Sequence, residues 1–501
     1  MSDRARRAII IAIAIILLSA VIKTYHINAP IADSQSWNQN SCAQVIRNFY
    51  EKGMRFFYPE WDLLKQNSLP PRYEAEEVPL YSFFVAMLWK LFVPALWLAR
   101  LATILGAAIG AIFLFRLTRR LYGDEPAIWA VFFYSFVPLN LFFQRAIMTD
   151  AWGIAASIAA VDLFQLHFSD PKPSRFIAAT LATMLTGMFK VYFLFIGLPI
   201  GYLAWKKYGW RTLIRVELWA SALIVLVPNL LWLLHASKIG TLGAATEGGG
   251  FWESEKLFGP ISLMWSFKYY GKLLEKLILY VGTAFFSVFV IYGLATSFRS
   301  LGLVLWWLLG FGVYVLIVRT GNIKHNYYQL PYLAPASVIA GVGASRLKEG
   351  LQKRFSVKTA RMVLSVLVLA FLVNSGKYAY SFYRLDLSSI AASELVKKYS
   401  KPDDFIIVVE PGVTKRNQVI FAAHRKGWHF WSPTPEIIKD QIKLGAKLLV
   451  VVISDREATA REPLLRWLDE NFKLLEKQRK DWGEKPDVHT ILIYDLTIAR
   501  G

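Results

Sequence analysis

The run Ala8-Ile-Ile-Ile-Ala-Ile-Ala-Ile-Ile-Leu-Leu-Ser-Ala-Val21 follows a basic start (Arg4, Arg6, Arg7). It precedes a long polar loop, residues 31–79, that opens near Asp33 and closes on Glu76-Glu77-Val78-Pro79. An uncharged apolar run behind a basic N-terminus reads as a membrane helix that starts in the cytoplasm and exits into the loop. A cleaved signal peptide begins the same way. Comparable runs recur at residues 127–143, 277–296, 301–318 and, with its flanks, 363–373, so an uncleaved first helix is the better reading. Each is near the ~20 residues that cross a bilayer.

The whole chain agrees. Its 501 residues are 55% hydrophobic, more than soluble domains carry, and its 18 Trp and 23 Tyr suit interfacial belts. The net charge of +21 need not mean nucleic acid, which would ask for a basic face on a soluble domain. Here many cations flank apolar runs, as at Arg116-Leu-Thr-Arg-Arg120, Lys206-Lys207 and Arg346, where they anchor cytoplasmic loops. The one cysteine, Cys42, excludes an intrachain disulfide and a multi-cysteine metal cluster.

Placing the basic loops inside predicts about eleven spans by the length criterion. Residues 97–115 form the second span, and residues 79–96 a surface or re-entrant helix. Apolar positions Val45, Ile46, Phe49 and Tyr50 recur at helical spacing, so residues 34–53 read as an amphipathic helix on the outer membrane surface. A Gly248-Gly249-Gly250 loop falls outside. Beyond residue 384 the composition turns soluble. Apolar runs at 404–409, 447–453 and 490–494 read as buried strands, with helices between them. The expected architecture is an α-helical polytopic membrane domain, residues 1–384 with its first outer loop at 24–96, followed by an extracytoplasmic α/β domain, residues 385–501.

No phosphate-binding Gly-rich loop, His-Glu-x-x-His or Gly-x-Ser-x-Gly is present. What remains is a set of polar residues that the topology brings to the outer ends of spans: Asp33, Glu76, Glu77, Arg145, Asp150, Lys190, Arg319, Lys324, His325, Tyr327 and Tyr328. Ionisable groups at membrane depth are costly and often functional. Each also has a plain structural reading. Asp33 could cap the helix after it and Thr149 or Asp150 the next span, Glu76-Glu77 could complement a helix dipole, and Lys190 could snorkel.

Four segments carry a resemblance. Asp33 follows the first span. Glu76-Glu77-Val78-Pro79-Leu80-Tyr81 ends the loop. Arg145-Ala-Ile-Met-Thr-Asp150-Ala sits between spans, and His325-Asn-Tyr327-Tyr328-Gln-Leu-Pro331 comes late. In this order, over about residues 1–347, they resemble the GT-C membrane glycosyltransferases, in particular the protein O-mannosyltransferase and aminoarabinose transferase family. The chain departs from that pattern in having Ser34 after Asp33 and Val78 ahead of Pro79. The resemblance implies transfer of a sugar, with inversion, from a polyprenyl-phosphate donor to a lipid, glycan or protein acceptor outside the cytosol. Asp33 would be the general base, with Asp150 orienting the acceptor. Lys190, Arg319 and His325 would hold the donor phosphate, with Tyr327 and Tyr328 on phosphate or sugar. Glu76 and Glu77 are candidates for acceptor or divalent-ion binding. The alternatives are a polyprenyl-pyrophosphate-dependent ligase, a flippase of lipid-linked sugars, or an assembly protein. A transporter would favour mid-membrane charges in repeated halves, and no repeat is visible.

Overall fold

The computed structural model describes residues 3–240, 258–410, 417–456, 458–484 and 488–499; the Gly248–Gly250 stretch lies outside them. The chain divides into two compact units. One comprises residues 1–25, 76–81 and 100–380, and the other residues 26–75, 82–99 and 381–501. This differs from a single cut at residue 384, because most of the first polar loop folds with the C-terminal region.

The first unit is helical. Five helices among the described residues are long and apolar enough to cross a membrane: Asp3–Ile22, Leu96–Tyr122, Asp150–Ser169, Val216–Lys238 and Val357–Tyr383. A pair bent by 110°, Phe267–Val281 with Ala284–Ser300, would make a sixth, and Gly302–Ile317 is a shorter apolar helix. Elsewhere the apolar runs are broken. The apolar run at 127–143 is split between helices Asp124–Phe136 and Pro138–Phe143. Pro138 has no N–H and excludes the helical conformation from the residue before it, so Val137 turns extended (φ −62°, ψ 144°). Lys190, also extended (φ −155°, ψ 110°), ends helix Pro173–Phe189 ahead of a 3₁₀ turn, Val191–Ile196.

Helix Leu333–Arg354 packs closely against two others. A Cβ on Gly343 would lie 2.0 Å from the Phe289 carbonyl oxygen, and one on Gly341 would lie 2.4 Å from that of Pro126. Gly293 makes the reciprocal approach, 2.3 Å from Ile339 O. Small residues here let three helix backbones touch.

The second unit is built on a five-stranded sheet. A two-residue pair, β1 (Glu60–Trp61) and β2 (Arg72–Tyr73), precedes it. The sheet itself contains β3 (Phe405–Val409), β4 (Gly427–Phe430), β5 (Ala446–Ser454), β6 (Phe472–Asp481) and β7 (Val488–Ala499), in the order β4-β3-β5-β7-β6. β3 runs parallel to β4 and β5, and β7 antiparallel to β5 and β6. Helices Ser388–Tyr399 and Gln418–Ala423 supply Ala392, Val396 and Ile420 to one face; helices Pro435–Lys443 and Ala458–Asn471 supply Ile438 and Leu468 to the other.

The first loop enters both cores, Trp61 and Leu63 on one face and Leu64 on the other. It does so by running along edge strand β4. Leu64 N donates to Gly427 O at 2.8 Å and Gly427 N to Asp62 O at 3.2 Å. An edge strand has unused backbone groups, and residues 62–64 use them.

Helix Ser36–Lys52 therefore differs from the expected bare surface helix. Its polar residues Gln39, Asn40, Gln44 and Asn48 are buried. Ser36 Oγ bonds Gln418 Oε1 at 3.3 Å, Asn417 Nδ2 bonds Ser41 Oγ at 2.8 Å, and Arg47 donates to Phe421 O and pairs with Asp62 Oδ2 at 2.7 Å. Its apolar side meets helix Leu80–Leu91 through edge-on contacts, Phe49 with Phe83 and Tyr50 with Trp89.

Candidate functional site

In the first unit, three sequence-distant ionisable groups converge at breaks in the helices. Glu77 lies just before helix Leu80–Leu91, Asp150 opens helix Asp150–Ser169, and Lys190 closes helix Pro173–Phe189. Lys190 Nζ pairs with Glu77 Oε1 and lies 3.6 Å from Asp150 Oδ2. Thr149 Oγ1 donates to Glu77 Oε2 at 2.5 Å. The side chains of Lys190 and Asp150 are 5% and 2% exposed, while that of Glu77 is 31% exposed. The Glu77 segment is fixed from both ends. Val78 N donates to Met188 O, two residues before Lys190, and Tyr81 OH bonds Thr103 Oγ1 at 2.9 Å. A buried lysine is tolerable here because it has two carboxylates.

An aromatic wall adjoins the cluster. Lys190 Nζ lies 5.5 Å from the Tyr192 ring centroid and 5.9 Å from that of Tyr327, within cation–π range. Tyr192 stacks on Tyr314 and on Tyr328, and Tyr314 OH donates to Tyr328 O. Tyr192 and Tyr314 escaped the sequence reading, since a Tyr in an apolar run looks like interfacial or core packing.

His325 sits extended between the short helix Arg319–Lys324 and the 3₁₀ stretch Asn326–Tyr332, with its ring about 5.5 Å from those of Tyr327 and Tyr328. Burial, with Lys276 and Lys324 nearby, pushes its pKa down to about 4. Placed so, the ring is neutral at neutral pH and can hydrogen-bond a phosphate. Arg319 is 9% exposed and spends two guanidinium nitrogens on carbonyls, Leu316 at 2.6 Å and Gly259 at 2.9 Å. Arg145 is fully buried over the Phe142 ring.

Asp33 belongs to the second unit and is 5% exposed. It is not the helix cap that the sequence allows. Gln35, in the left-handed conformation (φ 55°), takes that position without a side-chain cap bond. Instead Gln39 Nε2 donates to Asp33 Oδ1 at 2.7 Å. Likewise Thr149 makes no side-chain cap to helix Asp150–Ser169, its hydroxyl going to Glu77.

The Glu76-Glu77 pair does not fit a metal site. Both Glu77 oxygens are engaged by Lys190 and Thr149. No group of three or more His, Cys, Asp or Glu among the described residues could hold an ion.

The fold is similar, over nearly the whole chain, to those of several solved structures. It matches ArnT from Cupriavidus metallidurans bound to undecaprenyl phosphate at a TM-score of 0.64, with 13% identity, covering 96% of this chain and 97% of that one. It matches the archaeal oligosaccharyltransferase AglB from Archaeoglobus fulgidus, in complex with an inhibitory peptide and a dolichol-phosphate, at 0.60 with 11% identity, over 93% and 73% of the two chains. The arabinofuranosyltransferase AftD from Mycobacteria matches at 0.56 with 13% identity, over 99% of this chain and 42% of AftD. More particularly, residues 76–232 match the model of the family described as dolichyl-phosphate-mannose-protein mannosyltransferase. That segment holds Glu77, Asp150 and Lys190. No curated protein matches the sequence.

Proposed function

We propose that this protein is an inverting membrane glycosyltransferase that moves a sugar from a polyprenyl phosphate to an acceptor outside the cytosol. The observation that carries this reading is the Glu77–Lys190–Asp150 cluster with its tyrosine wall. The three charged residues lie within the segment that matches a mannosyltransferase family, in a fold shared with a protein bound to undecaprenyl phosphate.

The chemistry asks for two things. An acceptor hydroxyl needs a fixed carboxylate to take its proton, and Asp33 is the proposed base. The leaving phosphate gains negative charge in the transition state and needs fixed donors. Lys190 and Arg319 provide charge, while His325, Tyr327 and Tyr328 provide hydrogen bonds. Asp150 and Glu77 hold the Lys190 ammonium in place, and Asp150 also orients the acceptor. In this reading there are about eleven crossings, the N-terminus is cytoplasmic and the C-terminal α/β region faces outward.

Thermal unfolding of the purified protein with undecaprenyl phosphate, with undecaprenyl pyrophosphate and with neither tests the donor class. A ligand of the folded state adds about 2.7 kcal/mol at a hundredfold excess over Kd. Selective stabilisation by the monophosphate, weakened in Arg319→Ala, is expected. Preference for the pyrophosphate would shift the assignment to a ligase, and indifference to both would remove the lipid-phosphate donor. Asp33→Asn is expected to abolish transfer while leaving undecaprenyl-phosphate binding intact; near-normal turnover would remove Asp33 from the base role.

A further inference from the structure

The C-terminal α/β region has no role in the reading above, yet its first residues, together with the end of helix Val357–Tyr383, hold the peptide that carries Asp33. Ser34 N donates to Phe382 O at 3.0 Å, and Asp386 N donates to Ala32 O at 2.9 Å. The residues on either side of Asp33 are thus bonded to the two ends of one five-residue stretch.

That stretch is itself tied to the sheet. Asp386 forms an antiparallel bridge with Gly483, just beyond β6. Leu387 N donates to Trp482 O and Glu484 N to Leu385 O, both at 3.2 Å. The Asp386 carboxylate accepts from Ser388 N and Oγ, at the start of helix Ser388–Tyr399. A short run of backbone hydrogen bonds therefore links the Asp33 peptide, through residues 382–387, to residues 482–484. Backbone bonds of this kind fix where a residue's Cα lies; they do not fix its carboxylate.

Gln39 does that. It is fully buried on helix Ser36–Lys52. Its Nε2 donates to Asp33 Oδ1 at 2.7 Å and to Ser34 O at 3.0 Å, so one amide nitrogen joins carboxylate and backbone. The helix is docked on the same region through Ser36 to Gln418 and Asn417 to Ser41. We infer that the C-terminal α/β region is the mount for the candidate base, and that Gln39 is a positioning residue that orients the Asp33 carboxylate by hydrogen bonding to Oδ1.

This rests on Asp33 being the base, and it assigns the soluble region a part in turnover. Misplacing a reacting group by about 1 Å can cost on the order of 100-fold in rate. A side chain that only filled space would be replaceable by Leu.

The test uses the full chain. Turnover is read as release of undecaprenyl phosphate from a panel of undecaprenyl-phosphate hexoses and pentoses, with membrane extract as acceptor. Undecaprenyl-phosphate affinity is measured alongside it as the check on folding. Gln39→Leu is expected to lose on the order of 10- to 100-fold in kcat with affinity within about twofold. Gln39→Glu gives the readout that packing alone would not move. Near pH 8 the introduced carboxylate has no hydrogen to donate and repels Asp33. Towards about pH 5 it gains one, and turnover relative to Gln39→Leu should rise.

Full turnover in Gln39→Leu, or a Gln39→Glu profile parallel to that of Gln39→Leu at every pH, would overturn the inference while Asp33→Asn stays inactive. Near-normal turnover in Asp33→Asn would overturn the base reading itself, and this inference with it.

Discussion

Replacing Lys190 by Met removes the cation shared by two carboxylates. The Asp150 contact is the larger loss, since both partners are buried and the charges are 3.6 Å apart. At an effective dielectric near 20, two such charges attract by about 4 kcal/mol. Glu77 is nearly one-third exposed and adds less. Part of the attraction repays the desolvation of Lys190, which the variant no longer bears, so a net loss of about 3 kcal/mol is expected, at the lower end for breaking a buried pair. For a helical unit of roughly 300 residues, unfolding entropy scales to about 0.6 kcal/mol/K, so the midpoint should fall by about 5 °C. Thermal unfolding in detergent measures this. Asp150→Asn alone should cost about 1–2 kcal/mol, because Lys190 keeps Glu77. The double variant Lys190→Met/Asp150→Asn should then be less damaging than the sum by about 1–2 kcal/mol, the coupling of two groups in contact. A midpoint shift under about 1.5 °C for Lys190→Met, or strict additivity of the two changes, would refute the claim that these charges form one buried cluster.

Two further outcomes follow from the same unit. The folded pKa of His325, about 4, lies below its usual value, so unfolded chains bind its proton more readily. Stability should fall as pH drops from about 6.5 to about 4, by on the order of 2–3 kcal/mol. A His325→Gln variant should lose that part of the pH dependence in thermal unfolding, and an unchanged slope would contradict a neutral buried ring. Gly343→Ala pushes a methyl to within 2.0 Å of the Phe289 carbonyl oxygen, so helices must separate. A loss of about 2–3 kcal/mol is expected, and a neutral result in chemical or thermal unfolding would deny the close crossing.

The sequence reaches unevenly into this structure, for physical reasons. Uniform apolar runs announce membrane helices, and the strands at 404–409, 447–453 and 490–494 stand out because central strands are apolar on both faces. The edges do not. β6 carries Lys473, Glu476, Lys477, Arg479 and Lys480, the charges that protect an edge strand from pairing, and so it does not look like a strand. Pro138 is plain in the sequence, but whether a proline kinks a span or divides it depends on what the neighbouring helices tolerate. The pairing of Lys190 with Glu77 and Asp150 needs contacts across 113 and 40 positions, which no local pattern encodes. His325 looks cationic until its burial and its lysine neighbours are known.

Helix Ser36–Lys52 shows most clearly where periodicity misleads. Its apolar positions lie on one side, which by itself predicts an outer-surface helix with its polar side in water. Yet Gln39, Asn40, Gln44 and Asn48 are buried. Buried amides must find partners, and several of theirs lie far away or within the loop itself: Gln44 Oε1 accepts from Asp62 N, and Asn48 donates to Glu60 O and Asp62 Oδ1. A surface helix would not need such specific acceptors on its wet side. The density of Asn, Gln and Ser in Ser-Trp-Asn-Gln-Asn-Ser-Cys-Ala-Gln, with only Arg47 charged before Glu51, is itself a sign of a buried polar interface. Solvated helix faces favour Lys and Glu, which are seldom fully buried. Hydrogen-bonding residues without charge are what a helix offers when its polar side meets protein, and here that protein is the region that also holds the Asp33 peptide.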